Sequence, residues 1–147
     1  MAPIFYVILS LCIASCALAA PMQRRQTGNL ECNLARLKIV TDVADAKVLV
    51  GQINTTLVRP SESDSSVAVV QAGLNSVDEA IRTILDEVLS GGTAPESSRE
   101  QVDDGLSTAN QALGLITDPS LNATVTTAQA KIANAGDDGA SVVANCK

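Results

Sequence analysis

The chain has 147 residues, with 10 basic and 16 acidic side chains, no histidine, no tryptophan and a net charge of −6. The missing histidine removes the Ser/His/Asp triad, the imidazole base and any histidine ligand for zinc. An acidic surface of this kind repels nucleic acid and anionic membranes and favours solubility.

At the N-terminus, Ile4 through Ile13 is almost wholly apolar and is followed by Ala17-Leu18-Ala19, a small-x-small site. The pattern predicts a secretory signal peptide over residues 1–19, since the apolar stretch is shorter than the ~20 residues a membrane-spanning helix needs. Met22-Gln23-Arg24-Arg25 then sets a dibasic pair in an uncommitted segment. That predicts a short propeptide over 20–25 and a mature, secreted domain over 26–147.

Removing residues 1–25 changes the chemistry more than the length. Both aromatics (Phe5, Tyr6) and both methionines (Met1, Met22) go with the leader, and losing Arg24 and Arg25 moves the net charge from −6 to −8. The remaining 122 residues, 26–147, suffice for one domain with a modest core. Cys12 and Cys16 also leave, so Cys32 and Cys146 are predicted to form one intramolecular bridge in an oxidising compartment. With both committed there is no thiol nucleophile, and without rings there is no stacking platform for sugars or bases.

In chain order, the first helix is predicted over about 30–57. It carries two apolar stripes: Leu30, Leu34, Leu37, Ala44 and Val48; and Ile39, Val43, Ala46, Val50, Ile53 and Leu57. Such a helix should touch two neighbours. Pro60 and Ser61-Glu62-Ser63-Asp64-Ser65 end it and offer N-caps to the second, at about 64–90. There Val67, Val70, Leu74, Val77, Ile81, Ile84 and Val88 follow at steps of three and four, an unbroken a/d seam.

Gly91-Gly92 closes the second helix, and Thr93-Ala94-Pro95-Glu96 opens the third, at about 95–116, with the seam Val102, Leu106, Ala109, Leu113 and Ile116. Asp118-Pro119 reads as an N-cap before a proline at the first helical position, starting a fourth helix at about 119–145. Its seam is Leu121, Val125, Ala128, Ile132, Ala135 and, beyond Gly139, Val142. No run of five residues alternates with period two, so no strand is predicted.

Short connections and a repeat near 3.5 residues predict an all-α fold, an antiparallel up-down-up-down four-helix bundle closed by one disulfide. Four alternating helices bring Cys32 and Cys146 to the same pole, whereas three or five would separate them beyond the ~5.5 Å Cα distance a bridge requires. Six interior glycines, Gly51, Gly73, Gly105, Gly114, Gly136 and Gly139, each cost about 1 kcal/mol against alanine and need a reason. Close backbone approach is the reason expected at Gly51. Gly136-Asp137-Asp138-Gly139 either breaks the last helix or packs within it.

Among acidic side chains only adjacent pairs suggest catalysis: Asp78-Glu79, Asp86-Glu87, Asp103-Asp104 and Asp137-Asp138. Helical neighbours diverge by about 100°, so a solvated face is the expected role of each pair. No enzyme activity, cofactor or metal is expected, and no phosphate-binding glycine loop occurs. Two sequons, Asn54-Thr55-Thr56 and Asn122-Ala123-Thr124, predict N-glycosylation near helix ends.

The leader with its dibasic site, aromatic-free helices of Ala, Val, Thr and Ser, and the terminal pair Cys32 and Cys146 together resemble small secreted proteins of filamentous fungi. The likeness is greatest to the helical hydrophobic-surface-binding proteins and related cell-wall mannoproteins. It implies an extracellular or wall-associated protein that adsorbs to hydrophobic surfaces or holds a lipid between helices.

Physical chemistry offers a parallel route. Aliphatic seams without rings either pack tightly around Ala and Gly or admit an acyl chain, and helices that splay lay apolar stripes on a surface. Val70, Leu74, Val77, Ile81 and Ile84 are the expected apolar-binding residues. The rival expectation is an inhibitor or effector that docks on another secreted protein through a polar helix face, in the manner of helical pectin-methylesterase inhibitors.

Overall fold

The computed structural model describes residues 29–53 and 63–146. Within them the chain forms four helices and no strands: α1 (Leu30–Gln52), α2 (Ser63–Leu89), α3 (Glu96–Gly114) and α4 (Asn122–Asn145). They pack as a bundle. The leader, the dibasic pair, Leu57, Pro60, Ser61, Glu62 and the Asn54 sequon lie outside the described residues.

The capping chemistry differs from helix to helix. Asn29 caps α1, its side-chain oxygen accepting from the Glu31 backbone N–H at 3.0 Å, while its amide donates to the Asn145 carbonyl at 2.9 Å. One side chain thus ties the start of α1 to the end of α4. At the end of α2, the Gly92 N–H donates to the Glu87 carbonyl and the Gly91 N–H to the Val88 carbonyl, with Gly91 at φ 86°. This is a Schellman closure, and glycine serves it because a side chain is strained at that φ.

Asp118 does not cap α4, which begins at Asn122 rather than at 119. Its carboxylate accepts from the Ser120 backbone N–H and hydroxyl, at 2.8 and 2.6 Å, and the Leu121 N–H closes a turn onto the Asp118 carbonyl. Those two bonds hold the Asp118 carboxyl below its ordinary pKa, the Ser120 hydroxyl contributing more than the backbone N–H. The local bonds favour a separate turn over three further residues of helix.

The helices associate as two antiparallel pairs. In the α2/α3 pair, Gly73 and Gly105 meet so closely that a Cβ on Gly73 would lie 2.8 Å from the Gly105 carbonyl oxygen, and one on Gly105 2.6 Å from Val77 Cγ2. Steps of seven in opposite directions bring Ser66 to the level of Ala112 and Ala80 to that of Ser98. All six of these small residues are buried. They form a matched small-residue stripe on each helix, letting the backbones approach.

The α1/α4 pair is joined differently. Lys131 of α4 bonds Asp42 at 2.9 Å and Asp45 at 2.8 Å on α1, and Lys38 approaches Asp138 at 3.8 Å. Beyond these, Cys32 and Cys146 bring their Cα atoms to 5.2 Å, inside the range of about 4.4 to 6.8 Å that a bridge spans. Between the pairs, Lys47 of α1 bonds Asp78 of α2.

The predicted seams of α2 and α3 are the core. Val70, Leu74, Val77, Ala109 and Leu113 are at most 1 % exposed, joined by Val43, Ala46 and Val50 from α1 and Val125, Ala128, Ile132 and Ala135 from α4. Two expectations are corrected. The first helix touches two neighbours, α4 and α2, as expected, but through one stripe; the stripe with Leu30, Leu34, Leu37 and Val48 faces outward. Gly51 belongs to that outer stripe, and a Cβ there would meet nothing within 4 Å, so no close approach explains it. Of the two readings open for Gly136-Asp137-Asp138-Gly139, the structure takes the unbroken one, with α4 running through all four residues.

Candidate functional site

Two sets of apolar residues stand out, and they lie in opposite surroundings. The first is the predicted binding seam. Val70, Leu74 and Val77 are fully buried, and Ile81 and Ile84 are half-buried at the core's edge. As folded, this seam offers a ligand only its margin.

The second set is the outward face of α1, where Leu30 is 80 % exposed, Leu37 62 % and Val48 61 %, with Leu34 and Val40 also exposed. Steps of four and three link Leu30, Leu34, Leu37, Thr41, Ala44 and Val48, and no charged residue falls among them. Thr41, the polar member, donates its hydroxyl back to the Leu37 carbonyl at 2.9 Å, which leaves the stripe drier than its composition suggests. Lys38 and Asp45 turn away towards α4, and Lys47 towards α2.

The acidic pairs do not converge. Asp78 is bonded to Lys47 and Asp138 lies near Lys38, whereas Glu79 and Asp137 face solvent, as do Asp86, Glu87, Asp103 and Asp104. Among the described residues, no three His, Cys, Asp or Glu side chains gather where a metal ion could be held. Hydrogen bonds to Asp45 and then Asp42 push the Lys131 ammonium up to about 12. This group joins α1 to α4.

Asn122 is exposed on the first turn of α4, where an oligosaccharide would stand clear of the core. Among the described residues no helix is long and apolar enough to cross a membrane. Compared with known proteins, the chain matches no family model, no curated protein and no solved structure.

Sequence reasoning missed the role of Gly73 and Gly105, although a signal for them exists. Ser66, Gly73 and Ala80 on one helix, and Ser98, Gly105 and Ala112 on the next, repeat the same residue types at the same spacing of seven.

Proposed function

We propose that the mature chain is a secreted or cell-wall-associated, non-enzymatic protein that binds hydrophobic surfaces or a lipid-like ligand through aliphatic helix faces. The observation that carries this is the uncharged outward stripe of α1, since soluble helices ordinarily give that position to charged residues. The leader, the dibasic site and the sequons at Asn54 and Asn122 support export and glycosylation. In the oxidising compartment so reached, a Cys32–Cys146 bridge closes an up-down-up-down bundle by joining its first and last helices.

Adsorption tests the proposal directly. Purified mature protein is expected to deplete from solution onto octadecyl-coated silica and to take up a fluorescent fatty acid; a protein that does neither has no apolar-binding function. The second reading, docking on another secreted protein, draws on the outward face of α3, where Glu96, Glu100, Asp103 and Asp104 are exposed and suit a basic partner. One partner retained stoichiometrically in a salt-sensitive pull-down would favour it.

A further inference from the structure

The outward stripe of α1 has an order within it. Leu30, Leu34, Leu37, Thr41, Ala44 and Val48 alternate steps of four and three, so the outer face repeats the two-position heptad seam of a coiled coil along most of the helix. Its leucines all stand in the first half, and the smaller Thr41, Ala44 and Val48 in the second. The stripe with Val43, Ala46 and Val50 already serves the bundle core, so α1 carries two seams and the bundle uses one.

Charge singles out the same helix. α1 carries three acidic and three basic side chains, whereas α2 carries five and one and α3 four and one. Negative charge therefore gathers on α2 and α3, and α1 is the one helix among the described residues whose charges balance. Two copies of an acidic protein can approach through α1 at the least electrostatic cost.

Reversing one α1 against another matches these features. When two copies run antiparallel and centred on residue 39, Leu30 comes level with Val48 of the other copy, Leu34 with Ala44 and Leu37 with Thr41, each pair occurring twice by symmetry. Every leucine meets a smaller residue. Sliding by one heptad leaves either Leu30 or Val48 with nothing opposite, and a parallel pairing stacks leucine on leucine at one end while leaving a gap at Thr41 and Ala44. On the side facing α4, Glu31 approaches the level of Lys131 of the other copy, beside Asp42 and Asp45, while Lys38 near the axis keeps its own Asp138 at 3.8 Å. On the side facing α2, Asn33 comes level with Lys47 and Val40 meets Val40, with the exposed Leu85 one heptad beyond the Lys47–Asp78 contact.

We infer that a second copy of this chain covers the outward stripe of α1, the two copies being related by a two-fold axis near residue 39. The same patch serves both partners, as a closed two-fold dimer requires. The exposed parts of Leu30, Leu34, Leu37, Val40, Val48 and Leu85 offer on the order of 600 Å² per protomer, against about 800 Å² for a standard interface. That area suits a reversible dimer rather than an obligate one, with exchange expected at micromolar concentrations. The inference goes beyond the apolar-binding reading and stands without it: the dimer hides the stripe in solution, and a hydrophobic surface competes with the second copy for it.

Sedimentation velocity of the full secreted chain, over about 1 to 300 μM, tests this. A rise to twice the monomer mass with concentration is expected, and Leu37→Lys, which sets a charge beside the axis, is expected to weaken association about tenfold or more. Leu37 is exposed, so the variant keeps its fold, as far-UV circular dichroism checks. The register is read from single added thiols and a short bismaleimide: Val40→Cys is expected to link copy to copy, whereas Val48→Cys, about 27 Å from its counterpart along the antiparallel pair, is not. Monomer throughout the concentration range overturns the inference. So does a dimer that Leu37→Lys leaves intact, or any linking pattern other than Val40→Cys alone, since another face or a parallel pairing would then make the contact. Monomeric protein that fails to deplete onto octadecyl silica sinks the apolar-binding reading and leaves this inference standing.

Discussion

The α2/α3 pair and the α1/α4 pair solve one problem by different means. The first brings glycine against glycine and draws its cohesion from backbone proximity and buried aliphatic side chains. The second keeps its glycines clear of contact, buries Val43, Ala46, Val50, Ala128, Ile132 and Ala135 in the same core, and adds Lys131 between Asp42 and Asp45, with two cysteines at its end. The contrast shows that residue type alone does not fix a role. Glycine is a contact surface in one pair and leaves unfilled space in the other.

The largest expected effect breaks the second pair. Replacing Cys32 and Cys146 with serine would remove the proposed bridge between residues 114 apart. The chain-entropy account puts the loss at up to about 4.7 kcal/mol, with strain and denatured-state structure reducing it. Urea denaturation followed by far-UV circular dichroism measures it. Because Cys32 and Ala35 lie outside the shared core, hydrogen exchange should accelerate first over residues 30–39 and 138–145. An unchanged midpoint would mean that the sulfurs are not bridged.

The next effect breaks the first pair. Gly73→Ala would set a methyl carbon 2.8 Å from the Gly105 carbonyl oxygen and 3.2 Å from the Ala109 nitrogen, both backbone atoms that cannot rotate aside. Forcing the helices apart costs about 1 to 3 kcal/mol, and alanine's better helix propensity returns about 1. A net loss of up to about 2 kcal/mol in urea denaturation is expected. Gly105→Ala should cost at least as much, because a Cβ there meets the Gly73 carbonyl oxygen at 2.8 Å as well as the Val77 Cγ2 methyl at 2.6 Å.

The sign reverses in the other pair. At Gly136 and Gly139 an added Cβ meets nothing within 4 Å, and α4 is continuous through both. Each change to alanine is expected to stabilise by about 0.5 to 1 kcal/mol, through helix propensity and a less flexible unfolded chain. Destabilisation at either site in the same measurement would contradict the proposed division of labour between the pairs.

The period-3.5 seams were legible because burial of Val67 through Val88 and of Val102 through Ile116 depends on spacing along one helix, which a sequence displays directly. The outward turn of Leu30, Leu34 and Leu37 was not. Both stripes of α1 are apolar, and only the placement of α4, marked by Asp42, Asp45 and Lys131, decides which one is covered. The glycines divide in the same way: Gly73 and Gly105 acquire meaning only when two heptad patterns are laid side by side in opposite directions. For the binding seam, the sequence named Val70, Leu74, Val77, Ile81 and Ile84, but not that three are fully enclosed while the two isoleucines mark an edge.

The smallest effect separates charge from covalent closure in the α1/α4 pair. Asp45 and Asp42 raise the Lys131 pKa from 10.5 to about 12, so the folded state holds this proton more tightly than the unfolded state does. A raised pKa stabilises fully below 10.5, and that contribution is lost as the pH climbs through about 12. Lys131→Met removes the titrating group, so the melting temperatures of wild type and variant should converge across this window, after a modest wild-type advantage at neutral pH. The advantage should shrink with added salt, because the ammonium is solvent-accessible. Melting is followed by far-UV circular dichroism, since the predicted mature chain has no ring to report. A difference that persists above pH 12 would show that Lys131 acts through its aliphatic stem against α1 rather than through its charge.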